Sequence, residues 1–150
     1  MATPTCFISY SWDSDAHRDW VRYLSDALCN NGVDTRLDQY DVFPGMDLTL
    51  YMETCVREST FVLLVCTPTF AEKANKGQGG VGFERMIVTG EIFGGEASPK
   101  KFVPVLRSGE AKESLPSYLR SRLFLDFRDD AKFQASLEQL LRHLYESPKY

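Results

Sequence analysis

Phe61-Val62-Leu63-Leu64-Val65-Cys66 is a run of six apolar residues closed by Thr67-Pro68-Thr69. A run of this length, with β-branched residues and a proline behind it, reads as a strand, and the lack of any polar alternate position means that both of its faces are covered. It belongs at the centre of a parallel sheet. Before it, Thr5-Cys6-Phe7-Ile8-Ser9-Tyr10 is a shorter strand that runs into the polar turn Ser11-Trp12-Asp13-Ser14-Asp15. From His17 to Asn30, Trp20, Val21, Leu24, Ala27 and Leu28 fall at helical spacing, and Asn30-Asn31-Gly32 is a helix stop. Val33-Asp34-Thr35-Arg36-Leu37 follows as a strand. Strand, helix and strand in that order form a β-α-β unit with parallel strands and a right-handed crossover.

The remaining chain repeats the alternation. Asp38 to Gly45 is a polar loop ending in a Pro-Gly turn signal, and Met46 to Glu58 is helical through Leu48, Met52, Cys55 and Val56. After the central run, Phe70 to Asn75 reads as a short helical turn. Gly77, Gly79, Gly80 and Gly82 make a sterically thin loop, followed by a helix with Phe83, Met86, Ile87 and Gly90 on one face. Gly94 to Pro99 is a loop, and Phe102 to Leu106 is a fourth strand, restricted by Pro104 to places where one missing N–H is tolerated. A polar excursion from Ser108 to Ser121 leads to an edge strand, Leu123 to Phe127. Phe133, Leu137, Leu140, Leu141 and Leu144 form the stripe of a closing helix. Five short strands alternating with helices predict one doubly wound α/β domain.

Composition removes several function classes. A formal net charge of −4 over 150 residues offers no basic field for a phosphate backbone, so nucleic-acid binding is not expected. No apolar stretch nears the roughly 18–20 residues that span a bilayer, and the N-terminus lacks a signal-peptide pattern, so the expected setting is soluble and cytoplasmic. The four cysteines, Cys6, Cys29, Cys55 and Cys66, include no C-x-x-C pair and read as core residues in a reducing compartment. With only His17 and His143 as histidines, no metal hydrolase is expected.

Doubly wound sheets bind ligands outside the carboxyl ends of their strands, which singles out Tyr10 to Asp15, Asp38 to Gly45, and Cys66 through Glu84. Glu84 falls in the first turn of its helix, where unpaired N–H groups and the helix dipole favour a carboxylate by roughly 0.3–1 kcal/mol. Acidic residues are common in first turns, so the position alone does not make it catalytic.

The blocks F-I-S-Y-S at Phe7 to Ser11, D-Q-Y-D-V-F-P-G at Asp38 to Gly45, V-C-T-P-T-F-A-E-K-A-N at Val65 to Asn75, and G-G-V-G-F-E at Gly79 to Glu84 together resemble a Toll/interleukin-1 receptor (TIR) domain. They are most similar to the bacterial group that overlaps SEFIR domains and stands at the N-termini of anti-phage defence proteins. The resemblance covers nearly the whole chain. It implies a flavodoxin-like, five-stranded parallel sheet with helices on both faces, whose members either scaffold other TIR domains or cleave NAD⁺ at the nicotinamide–ribose bond. The family's glutamate on the helix after the third strand corresponds to Glu84; Glu91 is the competitor, away from the strand ends. NAD⁺ is then a substrate, with no cofactor.

One glutamate suits that chemistry. Glycoside hydrolysis ordinarily needs a second carboxylic acid to protonate the leaving oxygen. Nicotinamide instead leaves a cationic pyridinium as a neutral molecule, so what needs stabilising is the ribosyl oxocarbenium, and a fixed carboxylate does that.

The other candidates carry two readings each. Ser9, Tyr10 and Ser11 line the pocket with hydroxyls or pack. Trp12 stacks on a planar ring or caps the core. Asp38 binds a ribose hydroxyl or ends its strand. Tyr40 and Phe43 lie on the loop that, by the resemblance, contacts a neighbouring TIR domain and completes its pocket. Lys73 meets the diphosphate or is a solvated lysine, and Asn75 lies on the same segment. The implied partners are NAD⁺, other TIR domains in a homo-oligomer or filament, and a fused sensor for a cyclic nucleotide, such as STING or SAVED, so that the chain is an effector part of a longer protein. The alternatives are a non-enzymatic TIR scaffold or adaptor and a bacterial virulence TIR module. A flavodoxin-like phosphorelay regulator is disfavoured, because the third strand ends Cys66-Thr67-Pro68 where acids are needed.

Overall fold

The computed structural model describes residues 3–76 and 100–147. Five parallel strands, β1 (Thr5–Ser9), β2 (Asp34–Arg36), β3 (Phe61–Cys66), β4 (Phe102–Leu106) and β5 (Leu125–Asp126), form one sheet in the order β2-β1-β3-β4-β5. This is the flavodoxin-type order, with its switch point between β1 and β3. The apolar run at Phe61–Cys66 is buried throughout and lies in the middle, as its continuous hydrophobicity requires.

Side chains alternate across the sheet with period two, which divides the interior into two layers. Cys6, Ile8, Leu63, Val65 and Val105 pack against α1 (Asp15–Asn30), through Val21, Leu24 and Leu28, and against the closing helix Phe133–Leu144, through Leu137 and Leu140. Phe7, Val62, Leu64, Cys66 and Phe102 face the other way, onto Tyr51, Cys55 and Val56 of α3 (Leu48–Glu58) and Phe70 and Ala74 of α4 (Pro68–Lys76). Helices on opposite faces are what right-handed crossovers demand when the chain first moves from β1 to β2 and then doubles back to β3.

Local chemistry sets the helix ends. Ser14 caps α1 by accepting the His17 N–H at 3.1 Å, so the helix begins at Asp15, two residues before the expected start at His17. It ends at Gly32, whose φ of +87° is suited to glycine, with the Val33 N–H bonded to the Leu28 carbonyl at 3.1 Å. Asp47 caps α3 through the Leu50 N–H at 3.0 Å. Thr67 caps α4 through the Phe70 N–H at 3.1 Å, and Pro68 fills the first helical position, where its missing N–H costs nothing.

Several expectations are corrected. The Asp38 to Gly45 segment is not wholly irregular: Asp38–Asp41 forms a helical turn, α2, before the chain enters the Pro44-Gly45 turn. The excursion from Ser108 to Ser121 holds a short helix, α5 (Ala111–Ser114), and a 3₁₀ turn, Ser117–Leu119. Leu123 is not in the fifth strand but stands 95% exposed, because β5 only begins pairing at Leu125. Pro104 is tolerated inside the sheet. The bonds from Val62 N–H to Lys101 O, Arg107 N–H to Cys66 O, and Phe127 N–H to Leu106 O alternate sides, which turns the Pro104 nitrogen toward β5. On that side β5 pairs only with Val105 and Leu106. Of the cysteines, Cys6, Cys55 and Cys66 are buried as expected, whereas Cys29 is exposed.

Candidate functional site

The carboxyl ends of β1 and β3 flank the switch point, and that of β2 lies on the other side of β1. Ser9, Tyr10 and Ser11 leave β1 buried. The Ser11 Oγ hydrogen-bonds Asp13 and lies 3.5 Å from the Thr67 Oγ1, which joins the turn after β1 to the start of α4. Tyr10 packs, its ring belonging to the α1-side core, while its phenol donates to Asp38 Oδ1 at 2.7 Å. Burial, and then the bond to a carboxylate, push its pKa up to about 12.

Asp38 is shared. Its second oxygen, Oδ2, accepts the Trp12 indole N–H at 3.0 Å, so one carboxylate at the end of β2 holds two aromatic residues from the turn after β1. Gln39 reinforces the group by donating to the Tyr10 hydroxyl at 2.9 Å and to the Arg18 carbonyl at 3.0 Å. The Arg18 guanidinium lies over the Trp12 ring, 4.2 Å from its centroid. Trp12 nevertheless remains 59% exposed, so it does not cap the core. Sequence reasoning passed over Arg18 and Gln39: an arginine in a first helical turn and a glutamine in a polar loop look like ordinary surface residues.

His17 sits behind this group, its ring centroid 6.2 Å from that of Tyr10. Its Nε2 is buried with no hydrogen-bond partner among the described residues. Burial lowers its pKa against the attraction of Asp13, with Arg107 adding to the lowering.

Tyr40 and Phe43 follow Asp38 on the segment after β2. The Tyr40 hydroxyl donates to Asp26 on α1, and partial desolvation together with that bond raises its pKa to about 12. Phe43 projects from a turn that the Met46 N–H closes on the Phe43 carbonyl at 3.1 Å, with Gly45 at φ +92°. Leu48 and Leu50 are also exposed, and Leu50 lines a groove of ≈ 780 Å³ together with Tyr40, Asp41, Met46 and Tyr51. Lys73 is half-buried on α4. Asn75 accepts the Ser117 N–H at 3.0 Å, a tie between α4 and the 3₁₀ turn. Glu84, Glu91, the glycine loop and its helix lie outside the described residues. Among the described residues, no cluster of His, Cys, Asp and Glu is placed to hold a metal ion, and no helix is long and apolar enough to cross a membrane.

The TIR domain family model matches residues 6–141, which takes in every described strand end. The chain belongs to the TIR domain family. A prokaryotic SEFIR domain of known structure is 34% identical, with a TM-score of 0.78 over 95% of this chain and 99% of that one. The TIR domains of the activated Roq1 resistosome, a structure that directly recognises the pathogen effector XopQ, are 16% identical, with a TM-score of 0.68 over 93% and 98%. A metazoan TIR-STING receptor from C. gigas in complex with 2′,3′-cGAMP is 20% identical, with a TM-score of 0.61 over 88% of this TIR chain and 38% of that receptor. The last two likenesses concern the fold. A comparison with curated proteins gives no significant match.

Proposed function

We propose that this TIR domain hydrolyses NAD⁺ at the nicotinamide–ribose bond when several copies assemble, with Glu84 as the catalytic anion. The observation that carries the reading is the clamped, open Trp12 ring beside Asp38 at the carboxyl ends of β1 and β2. The chain belongs to a family that includes NAD⁺-cleaving enzymes, and this pair stands at the carboxyl edge of the sheet, next to the β1/β3 switch point at which doubly wound sheets bind ligands. The C–N bond breaks with its electron pair going to the nicotinamide nitrogen, which departs neutral. Glu84 faces the charge left on the ribosyl carbon, water adds there, and its proton passes to solvent. The products are nicotinamide and ADP-ribose; capture by the adenine ring instead of water gives a cyclic product.

Exposed Tyr40 and Leu50 lining one groove, with Phe43 and Leu48 exposed on the same stretch of chain, support docking by a second copy. Activity then follows assembly, driven by a fused sensor such as a cyclic-nucleotide receptor, and depletes NAD⁺ in anti-phage defence. The same exposed surface favours a second reading, a non-catalytic scaffold. Nicotinamide release from concentrated or artificially clustered protein separates the two. Release that disappears in Glu84→Ala supports the enzyme; no turnover in any clustered state, or turnover unchanged in that variant, leaves the scaffold.

A further inference from the structure

Two features of Trp12 are in tension unless it has a ligand. Two contacts set its orientation: Asp38 Oδ2 holds the indole N–H at 3.0 Å and the Arg18 guanidinium covers one face at 4.2 Å, while Gln39 braces both by bonding the Arg18 carbonyl and the Tyr10 hydroxyl that holds Asp38. Yet the residue is 59% exposed, so this ordering stabilises no core contact on the open side. A large ring whose plane is already set and which stays mostly exposed binds a second planar ring without the entropy loss that ordering it would otherwise incur.

A dinucleotide brings two planar rings of different charge, the neutral adenine and the cationic nicotinamide. Arg18 already occupies the negative potential of one indole face. A pyridinium on the other face would meet that positive charge through a single ring thickness, whereas a neutral purine gains the dispersion of stacking without the repulsion. We propose that Trp12 is the platform for the adenine base of the dinucleotide, and that Asp38 is a positioning residue that sets the plane of the indole. This rests on the NAD⁺ reading above and narrows it to one subsite. Because adenine is remote from the bond that breaks, the platform contributes to ground state and transition state alike and appears in KM, with kcat unchanged.

The test titrates the chain with adenosine monophosphate and, separately, with nicotinamide mononucleotide while following tryptophan fluorescence. The expected result is saturable quenching by the adenine nucleotide alone, retained in Trp20→Phe and absent in Trp12→Phe. Asp38→Asn keeps an acceptor for Tyr10 but turns an amide donor toward the indole N–H. It should weaken adenosine monophosphate binding by calorimetry roughly five-fold or more, the lower end of base–aromatic stacking. Trp12→Ala, which leaves the Asp38 to Tyr10 bond intact, should do at least as much and raise KM for NAD⁺ at constant kcat. Nicotinamide mononucleotide quenching as tightly as adenosine monophosphate overturns the proposal, as does unchanged adenine affinity in Trp12→Ala. Nicotinamide release that needs Glu84, with no adenine quenching, refutes the platform and keeps the reaction. Adenine quenching with no nicotinamide release in any clustered state refutes the reaction and keeps the platform.

Discussion

The Tyr10 phenol donates to Asp38 Oδ1 at 2.7 Å across 28 residues of sequence, joining the carboxyl ends of β1 and β2. The bond links the core to the candidate site, because the ring of Tyr10 is buried against α1 while its hydroxyl fixes the carboxylate that orients Trp12.

Tyr10→Phe should cost about 1.5–3 kcal/mol, the range for a hydrogen bond to a charged group. The raised pKa also sets an alkaline limit. The folded phenol holds its proton to about 12 whereas the unfolded one releases it near 10, so the stability it contributes is complete below about pH 10 and is lost as the pH rises to about 12. Phenolate absorbance against pH, compared between the natural chain and Asp38→Asn, should show one tyrosine titrating earlier in the variant.

His17 sets the acid side. Its folded pKa is depressed, chiefly by burial, so between the folded and unfolded values the unfolded chain binds the extra proton. Stability is therefore present above the unfolded value of about 6.5 and falls as the pH drops below it. Thermal melting between about pH 7.5 and 5.5 should show that fall in the natural chain and a flatter profile in His17→Gln.

Leu63 is fully buried on the central strand and faces the α1 layer. Leu63→Ala should cost about 2–5 kcal/mol, the range for a leucine cavity in a packed core, and lower the urea midpoint accordingly. Trp12 belongs to the turn beyond the strand, so the site should bind ligand normally wherever the variant is still folded.

Phe43 is 61% exposed, so Phe43→Ala should change thermal stability by no more than about 0.5 kcal/mol. If the loop docks a second copy, the same substitution should abolish concentration-dependent nicotinamide release. Light scattering at matched concentrations should show the loss of assembly together with the loss of release.

Legibility varied with the range of the interaction. The run at Phe61–Cys66 and the leucine stripe of the closing helix were readable because periodicity depends on neighbours a few residues apart. Trp12 and Asp38 could be named as candidates from the strand-end rule, but their bond spans 26 residues and left no local mark. Arg18 was missed for the same reason. Leu123 misled because an apolar residue beside Phe124 and Leu125 looks like strand, and only the register of β5 against β4 shows where pairing starts.

By itself, then, the sequence determined the alternation of strands and helices, the central place of the third strand and the family, and it marked the strand-end loops as candidates, all from local periodicity or ordered motifs. Tertiary structure alone decided that Asp38 serves Tyr10 and Trp12 at once, that Arg18 covers one indole face, and that Pro104 fits inside the sheet. Each of these depends on which groups from distant segments the packed sheet brings within bonding distance, and hydrogen bonds and stacking act only at that range.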